Sequence, residues 1–159
     1  MDNNEQRFKG MICRHKDFIW HICESYRMGA AWDVSDMFQE VLCMLWRYYP
    51  RFDGRSTERT WIYKVANNTL ISLKRRAVNL QQTSGAIPEQ CDDNTNAEYN
   101  DFMRLIETLE EKDYNIVKAH LDGFDYAEIA QMVGISVAAV SMRLSRAKQK
   151  LRKMYEDGK

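Results

Sequence analysis

The sequence predicts an all-α protein of two small helical domains joined by a flexible linker. Apolar residues recur at steps of three and four, which is the spacing of one helix face, and no stretch shows the alternation of a half-buried strand. Residues 79–96 lack this spacing, contain turn formers and hold no cation. They are predicted to form an acidic, extended linker between domains at residues 1–78 and 97–159.

The first predicted helix ends near residue 27, where the Met28-Gly29-Ala30 segment follows. Its residues at helical spacing would all face the core. They are Phe8, Met11, Ile12, His15, Phe18, Ile19, Ile22, Cys23 and Tyr26.

The second predicted helix begins near Ser35, with Ser35 or Asp36 as its N-cap, and is stopped by Pro50. The core side is predicted to hold Phe38, Val41, Leu42, Leu45 and Tyr49. The opposite side carries Asp36, Gln39, Glu40, Cys43 and Arg47. Residues 50–56 form a loop, because they combine Pro, Asp-Gly and Ser.

The third predicted helix starts after an N-cap at Ser56 or Thr57 and ends in three cations. At 100° per residue its core stripe is Ile62, Val65, Ala66, Thr69, Leu70 and Leu73. The other side holds Thr60, Tyr63, Lys64, Asn67, Asn68, Ile71, Lys74 and Arg75, with Trp61 on its border. This second side is either solvated or binds a ligand.

Two further helices, near residues 97–109 and 111–121, precede a compact motif. Asp125 can cap a short helix, Gly134 can adopt the left-handed conformation of a tight turn, and Ser136 can cap a longer helix. The apolar stripe of the longer helix is Val140, Leu144, Ala147 and Leu151. This pattern predicts a helix-turn-helix.

The exposed side of the last helix suits the major groove of DNA, because its first turns carry small residues and its later turns carry cations. Its members are Ser136, Ala138, Ala139, Ser141, Met142, Arg143, Ser145, Arg146 and Lys148. A solvated basic face is the alternative, which the preceding turn motif disfavours.

The formal net charge is zero, but the charges are segregated. Residues 1–76 hold 13 Lys and Arg against 9 Asp and Glu, and residues 136–159 hold 7 against 2. The middle, residues 77–135, holds 3 cations against 12 acidic residues. Neutrality of the whole chain therefore does not exclude nucleic acid as a partner.

Several classes of function are disfavoured by the sequence. The apolar runs are too short to span a bilayer and the N-terminus is unlike a signal peptide, so a cytoplasmic protein without membrane insertion is expected. The four cysteines form no CxxC pair, and with the nearby histidines they show no zinc spacing. We expect packed, reduced thiols, no metal, no cofactor and no catalytic residue.

Both halves resemble the extracytoplasmic-function, or group IV, sigma factors of bacterial RNA polymerase. The stretch "DYAEIAQMVGISVAAVSMRLSRAKQKLRKM" resembles region four of that family, and "SDMFQEVLCMLWRYYPRFDGRSTERTWIYKVANNTLISLKRR" resembles region two. A helix-turn-helix alone occurs in many regulators. The ordered pair of regions, separated by a linker of this length, is far more specific.

The resemblance implies a sigma factor that directs promoter-specific transcription initiation. Asp36, Gln39 and Glu40 would dock on the β′ clamp of core polymerase, and the β flap and an anti-sigma factor are further implied partners. The −10 element would be opened by residues of the loop and third helix: Arg55, Thr60, Tyr63, Lys64, Asn67, Asn68, Lys74 and Arg75. Among the aromatic residues, Tyr63 is favoured over Trp61, for which core packing is preferred.

In the second half, the resemblance implies that the −35 element is read as duplex. The residues implied are Tyr126, Ser136, Ala138, Ala139, Ser141, Met142, Arg143, Arg146 and Lys148. Glu58 stands where the family commonly has an aromatic residue, Ser72 where Asp is common, and Ala139, Ser141 and Met142 replace the frequent Thr, Lys and Ser. The alternative is a stand-alone helix-turn-helix regulator, which would bind its operator tightly without polymerase.

Overall fold

The structure is a computed structural model that describes residues 2–26, 32–84 and 97–158. Within these residues every regular element is a helix, which confirms the predicted all-α class. The chain divides into two compact units, Met1–Cys91 and Asp92–Lys159, here called the first and the second unit.

The first unit contains α1 (Asn3–Ser25), α2 (Val34–Tyr48) and α3 (Glu58–Ser84), with a 3₁₀ turn at Tyr49–Arg51. Each of the three helices packs against the other two. Their shared core is formed by Met11, Ile19, Ile22, Cys23, Met37, Val41, Leu45, Ile62, Ala66, Leu70 and Leu73. Burial of this apolar surface is the main term that stabilises the unit.

Helix α2 begins slightly earlier than the sequence predicts. Its N-cap is Asp33, whose carboxylate accepts a hydrogen bond of 2.8 Å from the backbone N–H of Asp36. The predicted caps Ser35 and Asp36 are therefore wrong, since both lie inside the first turn. Met37 is buried in the core instead of Phe38. Phe38 is only half-buried, and its ring centroid lies 5.4 Å from that of Trp20.

The start of α3 is fixed by Thr57, one of the two predicted caps. Its hydroxyl oxygen accepts a hydrogen bond of 3.2 Å from the backbone N–H of Thr60. Glu58 then ties α3 to α1, because its carboxylate accepts from Arg14 Nη2 at 2.8 Å and lies 2.9 Å from His15 Nε2. The hydrogen bond from Arg14 lowers the pKa of Glu58, and the His15 contact acts in the same direction.

Helix α3 is 27 residues long and continues to Ser84. The linker predicted from residue 79 therefore does not begin there. No Gly or Pro interrupts α3, and residues such as Leu80 and Gln81 have good helix propensity. The remainder of the predicted linker, residues 85–96, lies outside the described residues.

The second unit contains α4 (Ala97–Glu107), α5 (Glu111–Leu121), α6 (Tyr126–Val133) and α7 (Val137–Asp157). The predicted stripe of α7 is buried in full. The core of the unit is Met103, Ile106, Leu109, Ile116, Val117, Ala119, Phe124, Ile129, Ala130, Val140, Leu144, Ala147 and Leu151.

A buried ion pair lies within α5 and the turn that follows it. Lys118 Nζ is 3.4 Å from Asp122 Oδ2, and these side chains are only 4% and 8% exposed.

Burial, together with the negative charges of Glu107 and Asp122, raises the pKa of Tyr114 to about 12. Tyr114 therefore remains a neutral phenol at physiological pH.

Candidate nucleic-acid interface

The turn between α6 and α7 is defined by three local features. Asp125 and Glu128 form a reciprocal capping box at the start of α6. Gly134 ends α6 with a φ of 78°, and its N–H donates to the carbonyl of Ala130 at 2.9 Å. Ser136 caps α7 by accepting a hydrogen bond of 3.1 Å from the backbone N–H of Ala139. All three predicted roles are confirmed.

The chain bends by 101° between α6 and α7. The predicted contact residues that are exposed are Ser136, Ala138, Ser141, Met142, Arg146 and Lys148. Ala139 and Arg143 are half-buried at the edge of this side. Tyr126, also half-buried, lies in α6 with its ring centroid 5.7 Å from that of His120. Its role in DNA binding stays a prediction.

In the first unit, a groove of about 450 Å³ runs between α2 and α3. It is lined by Glu40, Met44, Tyr48, Arg51, Trp61, Val65, Asn68, Thr69, Ser72, Leu73 and Arg76. Two guanidinium groups, an indole and an amide line this groove together with the carboxylate of Glu40. Guanidinium groups bind phosphates, and an indole and an amide bind unstacked bases.

The exposed side of α3 differs from the predicted one. Tyr63 and Thr60 are each only 3% exposed, so their placement on an accessible binding face is wrong. The Tyr63 ring stacks on Phe18 at 6.3 Å, and Asn67, half-buried, accepts a hydrogen bond of 2.6 Å from the Tyr26 hydroxyl. Packing of α1 against this side extends the buried arc of α3 towards Tyr63 and Asn67.

Trp61 and Asn68 line the groove together with Arg51 and Arg76. The sequence favours core packing for Trp61, and it marks Arg51 only as part of the loop before α3. The sequence does hold a signal for the α2 side of the groove, because Glu40, Met44 and Tyr48 repeat at steps of four and so share one side of that helix. Trp61 and Asn68 lie seven residues apart and also share one side of α3.

Aromatic rings support the loop before α3. The ring of Phe52 lies 5.0 Å from Trp61 and 6.5 Å from Tyr49, which itself lies 6.3 Å from Trp61. Arg55, a predicted contact in this loop, is exposed and forms an ion pair with Asp53 at 3.1 Å. The loop is thereby held beside the groove.

The remaining predicted residues of the first unit lie at its surface. Lys64 and Arg75 are exposed and Lys74 is half-buried on α3. Asp36, Gln39 and Glu40 are exposed on α2, and Glu40 also lines the groove. The carboxylates and the cationic groove therefore adjoin each other within a single unit.

In the part of the chain that the structure describes, no group of three or more His, Cys, Asp or Glu is placed to hold a metal ion. No single described helix has the length and apolar character to cross a bilayer. Only when α6 and α7 are counted together across their bend do their length and composition match those of a membrane-spanning segment.

Solved and curated proteins share this organisation. The chain is 38% identical over 52 residues to the ECF RNA polymerase sigma factor SigG of Mycobacterium tuberculosis (strain CDC 1551 / Oshkosh), covering 32% of this chain but 14% of SigG. It is 26% identical over 164 residues to the ECF RNA polymerase sigma-E factor of Escherichia coli (strain K12), covering 92% of this chain and 85% of that protein.

Among solved structures, the chain matches the sigma factor RpoE from Bartonella quintana, determined in complex with the anti-sigma factor NepR. The TM-score is 0.65 at 19% identity, and the match covers 95% of this chain and 98% of RpoE. At this identity the likeness concerns the fold.

A helix-turn-helix that follows a separate helical unit is typical of helical transcription proteins that bind DNA. The family described as "Sigma-70 region 2" matches residues 11–79, and "Sigma-70, region 4" matches residues 99–151. The chain belongs to the sigma-70 family, within its extracytoplasmic-function group. This family consists of transcription initiation factors, which confirms the prediction of a non-enzymatic protein.

Proposed function

We propose that this chain binds bacterial core RNA polymerase and directs it to specific promoters. The proposal is carried by the succession of a groove lined by two arginines in the first unit and a helix-turn-helix in the second. The proposed function places the protein in the cytoplasm, where polymerase and promoters are found. Its docking on the β′ clamp would use Asp36, Gln39 and Glu40, which are exposed on α2.

The second unit would read the −35 element as duplex DNA. The small side chains Ala138 and Ser141 let the start of α7 enter the major groove closely, and Arg146 and Lys148 follow one or two turns later. An arginine can contact a guanine edge or a phosphate, and a lysine can neutralise a phosphate.

The first unit would open the −10 element by binding the separated strand in the groove. Trp61 offers a face on which an unstacked base gains about 1 to 3 kcal/mol, and Asn68 offers an amide edge. Arg51 and Arg76 would hold the phosphates. In this proposal Tyr63 and Thr60 support the groove from the core, while Lys64, Lys74 and Arg75 line the approach of the strand.

The test reconstitutes the full chain with core polymerase and maps transcript start sites across the source genome. We expect starts at a common promoter sequence, and little promoter binding by the chain alone. Tight operator binding by the chain alone, without any effect on start sites, would show a stand-alone regulator instead.

A second measurement separates opening from docking. Asn68→Ala should leave the affinity for core unchanged but lower the permanganate reactivity of thymines in the −10 region, because the amide edge is lost. Lys16→Ala is the matched control, since Lys16 is exposed on α1 and does not line the groove. Reactivity equal to wild type in Asn68→Ala would contradict the assignment of the groove.

We further propose that an anti-sigma factor binds this chain. The support is the fold that it shares with RpoE of Bartonella quintana, whose structure is a complex with the anti-sigma factor NepR. Such a partner should compete with core polymerase, so a binding protein that forms a ternary complex with the chain and core would contradict this role.

A further inference from the structure

One bulky apolar side chain lies at the outward side of the helix that we propose enters the −35 element. Met142 is 57% exposed on α7. At 100° per residue it lies opposite the buried residues Val140, Leu144 and Ala147, so it points away from the unit. The helix-turn-helix packing therefore makes no demand for a methionine here.

The neighbours of Met142 leave its thioether free to reach forward. On the outward side, the residue one turn earlier is Ala138, and one turn later come Ser145 and Arg146. Ser141, the preceding residue, is also small and exposed. Met142 is thus the longest apolar group on the outward side of α7 between Ala138 and Arg146, where its neighbours are small or cationic.

The major groove offers one base with an apolar group at its edge. Thymine presents a C5 methyl there, whereas adenine, guanine and cytosine present hydrogen-bond donors and acceptors. A methionine forms no strong hydrogen bond, and its unbranched, polarizable chain adapts to an apolar partner. An exposed Met142 against a polar edge would leave that edge without a partner, which is unfavourable.

We propose that Met142 is a specificity residue that selects thymine at one position of the −35 element by packing on its C5 methyl group. This inference rests on the proposed function, since it requires α7 to lie in the major groove. Arg146 would fix the register of the helix, and Ala138 would leave room for the methyl group to approach.

The test uses the holoenzyme formed by the full chain and core polymerase on its mapped promoter. Each thymine of the −35 element is replaced in turn by deoxyuridine, which removes the methyl group alone. We expect one position at which this replacement weakens binding about fourfold, the value for one buried methyl-sized group. At that position Met142→Ser should bind thymine and uracil equally, and exposure of Met142 means that the variant should fold normally.

Gln149→Ala provides the matched control, because Gln149 is exposed on the same outward side of α7 two turns beyond Met142. It should keep the wild-type preference for thymine. If the wild type requires the −35 element but shows no position sensitive to the methyl group, the inference is overturned while the proposed function stands. It is equally overturned if Met142→Ser keeps the wild-type ratio. Binding by the holoenzyme that is independent of the −35 sequence would instead overturn the proposed function.

Discussion

Glu58 joins two helices that are distant in sequence. Its carboxylate contacts Arg14 and His15 of α1 from the first position of α3, immediately after the loop beside the groove. In the extracytoplasmic-function sigma factors an aromatic residue is common at this position, and its ring would pack against neighbouring side chains instead of pairing with charges. The position of the loop in this chain therefore depends partly on an ion pair.

Glu58→Gln should destabilise the first unit at neutral pH by less than about 1 kcal/mol, since the pair is partly solvated. The pKa of Glu58 is lowered in the folded state, so its contribution is present above the reference pKa of about 4.3 and is lost as pH falls through the lowered value. The difference between variant and wild type should therefore shrink as the pH falls below about 4.3, the reference pKa. Urea unfolding followed by tryptophan fluorescence checks this, because all 4 tryptophans lie in the first unit.

Glu5→Gln is the control for this measurement. Glu5 pairs with Lys9 at 2.8 Å on the exposed face of α1, where such a pair contributes only a few tenths of a kcal/mol. A larger loss in Glu5→Gln than in Glu58→Gln would contradict the structural role given to Glu58.

Tyr63 and Trp61 should respond differently to truncation. Tyr63→Ala removes a ring that is 3% exposed and stacked on Phe18, so we expect a loss of about 3 to 5 kcal/mol in the free energy of unfolding. Trp61→Ala should cost less stability, because Trp61 is half-exposed in the groove, but should reduce −10 opening. Equal stability losses, with opening unchanged in Trp61→Ala, would reverse this assignment.

Among the elements, α6 and α7 were predictable from sequence because their signals are local. The capping box, the left-handed Gly134 and the Ser136 cap each involve residues only a few positions apart. The stripe of α7 followed from simple periodicity because one side of this helix is buried and the other is exposed.

Helix α3 was less predictable because two other helices pack on it. Periodicity located its buried stripe but not the width of the buried arc. Contacts with Phe18 of α1 and with Tyr26, the residue after α1, extend that arc towards Tyr63 and Asn67. These contacts join residues about forty positions apart, beyond any local pattern. The groove, which needs α2 and α3 together, was missed for the same reason.

Gly134→Ala tests the turn of the helix-turn-helix. A Cβ at Gly134 would meet nothing within 4 Å, but the φ of 78° is strained for alanine, so we expect a loss of about 1 to 2 kcal/mol in the second unit. The helical circular dichroism transition should move to lower urea while the tryptophan transition of the first unit stays in place.

Gly10→Ala is the control of opposite sign. Gly10 lies inside α1, and an added Cβ would lie 3.2 Å from Nη1 of Arg14, the residue that pairs with Glu58. Because Arg14 must shift slightly, we expect a gain of at most about 0.5 kcal/mol, seen in the tryptophan transition. Destabilisation by both substitutions would indicate that the left-handed turn is not the cause at Gly134.

The whole molecule has a formal net charge of zero, but residues 1–76 and 136–159 each carry a net positive charge. These two properties have opposite effects on DNA binding. The acidic middle reduces the attraction of the free chain for any DNA, while local cations still release counterions from phosphates. We therefore expect promoter binding to depend on core polymerase and on salt.

Lys148→Ala should lower the slope of log affinity against log salt concentration by about 1 in the holoenzyme, because one phosphate contact is lost. The affinity should fall by a similar factor on all promoters, since a phosphate carries no sequence information. Lys9→Ala, an exposed substitution on α1, should leave the slope unchanged. A changed promoter preference in Lys148→Ala would show that this lysine contacts a base.

The ion pair between Arg14 and Glu58 spans 44 positions, whereas only the turn from Gly134 to Ser136 separates α6 from α7. Closing a long loop slows folding more than closing a short one, because more chain entropy is lost before contacts form. In a refolding mixture the helix-turn-helix should therefore gain protection from hydrogen exchange before α1 docks on α3. During synthesis, α1 has no such partner until α3 has left the ribosome.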